Sequence, residues 1–126
     1  MHAANQGYKA VIITADDADI LIMALSLGHN LKCQFFQRRG TSVRCQYVDI
    51  RAVASQHGAD LCTSLVGIHA FTGCDSISAF AGKGKPMNLL KKMPNFRHCF
   101  GELGQNFDVT EQQFKEMEAF TCRLYL

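Results

Sequence analysis

No run of apolar residues in this sequence approaches the ~20 that a helix needs to cross a bilayer, so a soluble chain is expected. The opening MHAANQGYKA lacks the basic-then-apolar order of a secretory signal. Charge of one sign is lacking too. Thirteen Lys and Arg stand against eleven Asp and Glu, a net +2, which argues against a basic tail of histone type. None of the six cysteines, at 33, 45, 62, 74, 99 and 122, forms a Cys-x-x-Cys pair, and their spacing matches no small disulfide framework. Cys33, Cys45, Cys62 and Cys122 sit in apolar runs, where a free thiol acts as a small hydrophobe. A reducing, intracellular compartment is expected, the nucleus included. His57, Cys62, His69 and Cys74 make a zinc set only on paper, since their gaps match no closed zinc module. Internal repeats, low-complexity tracts and long linkers are missing as well.

What is present suits a folded domain. The 126 residues are 48% apolar and 19% charged, enough to build a core, and the length suits one domain or part of one. Basic residues cluster locally, with Arg38, Arg39 and Arg44 in one place and Lys83, Lys85, Lys91 and Lys92 in another. Such a patch suffices for phosphate contacts; a solvated face is the plain alternative.

Tyr8–Thr14, YKAVIIT, is rich in β-branched residues and predicts a strand buried on both faces, as in a parallel sheet. Asp16, Asp17 and Asp19 follow at once, then the apolar helical run ILIMALSL, closed by Gly28. Leu31–Gln37 and Val43–Val48 flank Arg38-Arg39-Gly40-Thr41-Ser42 and predict a β-hairpin whose second strand alternates Val43, Cys45 and Tyr47. Asp49 caps a short helix, IRAVASQH, ended by Gly58. A longer helix covers about Asp60 to Phe71, with Leu61, Leu65, Ile68 and His69 on one face. Gly73 breaks it, and Asp75 opens the next short helix, SISAFA.

After Gly82-Lys83-Gly84-Lys85, Pro86 sits where a first helical turn tolerates it, MNLLKKM follows, and Pro94 ends that helix. Phe96–Leu103 predicts another. Thr110-Glu111-Gln112-Gln113 has the capping-box form, so a last helix runs towards Tyr125, with Phe114, Met117, Phe120 and Leu124 on a core stripe. The expected fold is α/β: a small parallel or mixed sheet of about three strands within residues 1–58, then a helical part, 59–126. Nothing obvious covers the far side of Tyr8–Thr14, so the sheet is incomplete and the chain is expected to be part of a domain.

Asp17 and Asp19 follow the carboxyl end of a predicted buried strand, where ligands collect in open α/β sheets. Two carboxylates spaced i, i+2 in a turn can both reach one hard divalent cation, which Mg²⁺ chemistry accepts when waters and phosphate oxygens complete the shell. Asp75, at the head of another helix, is a third candidate if folding brings it to the same edge. The plain alternative is a helix cap, among the commonest uses of Asp. In GKGK, glycines let the backbone approach a phosphate, amides at a helix start donate to it, and lysine adds charge without base specificity. A simple turn is its alternative. Cys74 is a poor nucleophile, because the neighbouring Asp75 raises its pKa.

The order of these motifs carries more weight than any one of them. TADDADILIMAL, a hairpin, then QYVDIRAVASQHGADLCTSLVGIHAFTGCDSISAFAGKGK resembles the second half of the PIN-like, flap-endonuclease-type nuclease superfamily. There a strand ends in a D-x-D pair, a helical stretch runs into a Gly-x-Asp corner, and a Gly/Lys-rich helical hairpin follows. HAFTGCDSISAFAGKGK looks like the "HALTGCDT-S-F-GKGK" signature of PIN-like proteins abundant in animal genomes, many of them transposon-associated. The resemblance spans Met1 to Tyr125.

It implies that Asp17, Asp19 and Asp75 are ligands of Mg²⁺ or Mn²⁺, and that Gly82, Lys83, Gly84 and Lys85 grip a DNA backbone in a helix-hairpin-helix-like element. Asp16 lies outside the pattern, as a capping residue or one that supports the ligands from behind. The implied activity is metal-dependent hydrolysis of phosphodiester bonds in DNA, or in RNA. The family's other acids, a strand-end Asp and a Glu-x-Asp helix, lie upstream of anything present. Met1-His2-Ala3-Ala4 looks like the tail of that helix. We therefore expect an N-terminal half to be missing and the chain to be inactive alone. The loop also departs from the Gly-Ile-Gly-Pro-Lys form of flap endonucleases. A non-catalytic PIN-like module that binds nucleic acid or a protein is the alternative.

Overall fold

The structure, a computed structural model, describes residues 2–73 and 84–126. It is mixed α/β. The chain forms two compact units, Met1–Cys62 and Thr63–Leu126. The expected helix opened by Asp75 lies outside the described residues. No helix among the described residues is long and apolar enough to cross a membrane.

The first unit begins with a single helical turn, α1 (His2–Asn5), then β1 (Ala10–Thr14), α2 (Ala18–Gly28), β2 (Gln34–Gly40), β3 (Cys45–Asp49) and α3 (Ile50–His57). The strands form a mixed sheet of order β1-β2-β3. β1 runs parallel to β2 across the α2 crossover, and β2 pairs antiparallel with β3. The hairpin is therefore present, though its strands are shifted: Arg38 and Arg39 belong to β2, while Val43 lies in the loop and is exposed. Gly40 closes β2 at φ +87, and a side chain there would run into the Arg44 carbonyl. Only glycine accepts both constraints.

β1 departs from the expectation of burial on both faces. Val11 and Ile13 are half-buried, whereas Ala10, Ile12 and Thr14 are exposed, Ile12 by 55%. The sheet order explains it: β1 is an edge strand, and α3 packs on central β2 and on α2. The covered face carries Phe35 and Gln37 of β2, both fully buried. Gly28 also has a different role from the one expected. It is the last residue of α2 rather than a left-handed stop, and a Cβ there would sit 2.6 Å from the Ile50 side chain. Its smallness lets α2 approach α3. The Asp49 cap behaves as the sequence predicts, accepting from the Ala52 amide at 3.0 Å, and Gly58 ends α3 at φ +87.

α4 (Ala59–Thr72) follows, with Leu61, Leu65 and Ile68 buried and His69 half-buried, and Gly73 stops it at φ +103. The second unit continues with α5 (Gly84–Lys92), α6 (Pro94–Glu102) and α7 (Glu111–Tyr125). α5 ends at Lys92, just before Pro94 as expected, and Pro94 also starts α6, at a position where its missing N–H has no partner to lose. The core of this unit is aromatic. Phe96 and Phe100 meet Phe120 edge-on at centroid distances of 5.2 and 4.9 Å, and Phe71 lies 5.4 Å from Phe100. Such offset and edge-to-face pairs suit the ring quadrupole.

The Thr110 capping box is complete, with the Gln113 amide donating to Thr110 at 3.1 Å and Thr110 N–H donating back at 2.9 Å. On the α7 stripe, Phe120 and Leu124 are buried and Met117 is half-buried, but Phe114 is 63% exposed because the core ends before the helix's first turn. Of the thiols, Cys33, Cys62 and Cys99 are buried, whereas Cys122 is exposed on α7, against the expectation that it packs inside.

Candidate functional site

β1 ends at Thr14, and the chain turns through Ala15, Asp16 and Asp17 into α2. Three side chains of this corner have distinct tasks. Asp17 is the N-cap, in extended backbone (φ −70, ψ 135), and its Oδ1 accepts from the Asp19 amide at 3.0 Å. Asp19 lies half-buried in the first turn of α2, where the helix dipole favours a negative charge. Asp16 faces the hairpin. Its Oδ1 accepts from the Gly40 amide at 2.6 Å, and its carbonyl accepts from the Arg39 guanidinium at 2.9 Å. Asp17, not Asp16, therefore caps α2, and Asp16 ties the corner to the end of β2.

A residue that the motif analysis passed over lies beneath this corner. Gln37 is fully buried on β2, between Ile13 of β1 and Val48 of β3 in the register. Its Nε2 donates to the Ala15 carbonyl at 2.8 Å and approaches the Asp17 carbonyl at 3.5 Å. Its Oε1 is buried and has no hydrogen-bond partner among the described residues. The only sequence signal for it is a polar residue two positions from Phe35 in an alternating strand, a pattern that a surface position produces equally well.

The donors at the corner are carboxylate oxygens, which suit a hard cation such as Mg²⁺ or Mn²⁺. Asp17 and Asp19 lie two residues apart, one exposed and one half-buried, and Asp17 Oδ1 is already engaged by the Asp19 amide. Asp75, the expected third ligand, lies outside the described residues, and among the described residues no group of three His, Cys, Asp or Glu side chains gathers.

In the expected phosphate-gripping loop, Gly82 and Lys83 lie outside the described residues; Gly84 and Lys85 form the start of α5. Lys85 is exposed, and its Nζ donates to the Leu124 carbonyl at 3.2 Å, near the carboxyl end of α7, where helix carbonyls lack partners. Arg97 does the same for α5, donating to the carbonyls of Leu90 and Lys91 at 2.7 and 3.1 Å. Lys91 and Lys92 are exposed in the last turn of that helix.

The buried thiols Cys62 and Cys99 are not activated nucleophiles. Burial raises the Cys62 thiol above its usual range. Burial, followed by the nearby Glu116 and Glu102 carboxylates, raises Cys99. Both stay protonated at neutral pH, the reverse of an activated nucleophile. No protein-family model, curated protein or solved structure matches the chain.

Proposed function

We propose that this chain is a PIN-like module of a divalent-cation-dependent nuclease acting on the phosphodiester backbone of DNA, with RNA as the second substrate class. The observation that carries the proposal is the ordered set of D-x-D, Gly-Cys-Asp and Gly-Lys-Gly-Lys motifs, whose first member follows the carboxyl end of a strand in a parallel pair. Asp17, Asp19 and Asp75 would hold Mg²⁺ or Mn²⁺. When bound, such an ion supplies a nucleophilic water at neutral pH and charge stabilisation for in-line displacement at phosphorus.

The chain's own groups do the positioning. Asp17 holds the head of α2 through its cap, and Asp16 and Arg39 hold the corner against the hairpin. Gly82, Lys83, Gly84 and Lys85, in a helix-hairpin-helix-like element, would grip a backbone phosphate, giving affinity without base specificity. Among the described residues, Lys85 uses one of its three ammonium donors, on the Leu124 carbonyl.

A second reading is a non-catalytic module that binds nucleic acid or a protein. One observation favours it: Asp16 and Asp17 each already accept a backbone N–H, an arrangement that serves structure without any cation.

Mn²⁺ titration followed by electron paramagnetic resonance separates the two. The nuclease reading expects saturable binding that Asp17→Asn and Asp75→Asn both weaken, together with Mn²⁺-dependent nicking of flap or single-stranded DNA or of RNA. Binding of DNA with no Mn²⁺ uptake, and loss of that binding in Lys83→Ala/Lys85→Ala, would establish the second reading instead.

A further inference from the structure

We propose that the outer edge of β1 pairs with β1 of a second copy of this chain, antiparallel about a two-fold axis at Ile12, joining two three-stranded sheets into one. The pairing needs no cation and uses residues of the first unit only.

The bonds between β1 and β2 determine which backbone groups of β1 face outward. The Gln34 amide donates to the Lys9 carbonyl at 3.0 Å, and the Ala15 amide donates to the Arg38 carbonyl at 3.1 Å. Alternate residues of a parallel strand bond to the same neighbour, so Lys9, Val11, Ile13 and Ala15 face β2. Ala10, Ile12 and Thr14 turn their N–H and C=O groups to the other side, where no strand lies among the described residues. α1 touches β1, but as a single helical turn it offers no ladder.

This edge carries none of the devices that keep edge strands single. AVIIT contains no charge and no proline, and its unbroken register with β2 contains no bulge. The side chains of Ala10, Ile12 and Thr14 are exposed as well. Ile12 stands in register beside half-buried Phe36, on the opposite face of the sheet from Phe35 and Gln37.

A second copy fits because the strand complements its own reverse. Antiparallel pairing about Ile12 lets all three outward residues bond, Ala10 with the partner's Thr14 and Ile12 with the partner's Ile12. Small Ala10 then meets β-branched threonine, and the two isoleucines meet at the centre. Charge runs the same way, with Lys9 leading into the strand and Asp16, Asp17 and Asp19 following it. The two-fold brings each Lys9 towards the partner's acidic corner, whereas a parallel copy would set acid against acid. A strand pair this short is small beside the ~1,200–2,000 Å² of a stable interface, so the dimer is expected to be weak and concentration-dependent.

Sedimentation of the full chain in chelator, from about 1 μM to about 1 mM, tests the pairing. The wild type is expected to pass from monomer to dimer within that range. Ile12→Lys, which sets two like charges face to face, is expected to stay monomeric. Oxidative cross-linking in a Cys122→Ser background reads the register. Opposed residues of a bonded antiparallel pair stand ~5.5 Å apart at Cα, inside disulfide range. Ile12→Cys should therefore bridge to itself, while Ala10→Cys and Thr14→Cys should each stay single and bridge when mixed. A wild type that is monomeric throughout, or a dimer that Ile12→Lys leaves intact, overturns the edge pairing. Bridging by Ala10→Cys or Thr14→Cys alone, or none by Ile12→Cys, overturns the two-fold register. The cysteine variants change exposed side chains only, so they decide the matter even if Ile12→Lys fails to fold.

Discussion

The Gly40 amide donates to the Asp16 carboxylate across 2.6 Å, joining the turn after β1 to the end of β2, twenty-four residues later. The tie crosses from one local element to another, so its loss is felt at both. Asp16→Ala is expected to lower stability by about 1 kcal/mol, the usual size for one such bond. Hydrogen exchange supplies the sharper check, because the Gly40 amide should lose protection while the Asp49 cap of α3 keeps its own.

Asp17 has two roles that substitution can separate. Asn caps a helix about as well as Asp, whereas Ala does not. Asp17→Asn is therefore expected to leave the denaturation midpoint close to wild type, while Asp17→Ala costs about 1 kcal/mol. Mn²⁺ binding should fall in both. A drop in binding confined to Asp17→Ala would mean that the cap, not the charge, is what the corner needs.

Two helix glycines in the second unit make opposite forecasts. A Cβ on Gly67 of α4 would collide with the Phe100 carbonyl, backbone of α6 that has little room to move. One on Gly101 would meet only the Thr63 methyl, at an ordinary 3.7 Å. Gly67→Ala should destabilise by about 1–3 kcal/mol or prevent folding. Gly101→Ala, inside α6, should be neutral or stabilise by up to about 1 kcal/mol through helix propensity. Paired urea melts read both.

The buried thiols make stability fall at alkaline pH. Cys62 and Cys99 hold their protons more tightly when folded than when unfolded. Their contribution is full below the unfolded thiol pKa of roughly 8.5 and is lost as pH rises through the higher folded values. Cys62→Ala/Cys99→Ala should flatten the decline above the unfolded thiol pKa relative to wild type, even if it lowers stability throughout. In the native protein a thiol reagent should label exposed Cys122 well before either buried residue.

The elements that could be read in advance are those whose hydrogen bonds close within a few residues. The Asp17 and Asp49 caps, the Thr110–Gln113 box, the hairpin around Gly40 and the Gly73 stop depend on neighbours in the chain, so the order of residue types was enough. The position of Asp17 and Asp19, after a strand end and at the head of α2, was legible for the same reason: a strand end followed by a cap is a local pattern.

Other features depend on partners far away in sequence. Which face of β1 is covered follows from β2 taking the centre of the sheet, and Ile12 is exposed although it reads as core. Gly28 and Gly67 are small because Ile50 and the Phe100 carbonyl come close, not because a turn requires glycine. Gln37 is the clearest case. Its place in an alternating strand is an ordinary one, and only the pairing of β1, β2 and β3 buries its side chain under the acidic corner. Local order dictates which hydrogen bonds a segment can make with itself; burial belongs to whichever distant surface arrives to cover it.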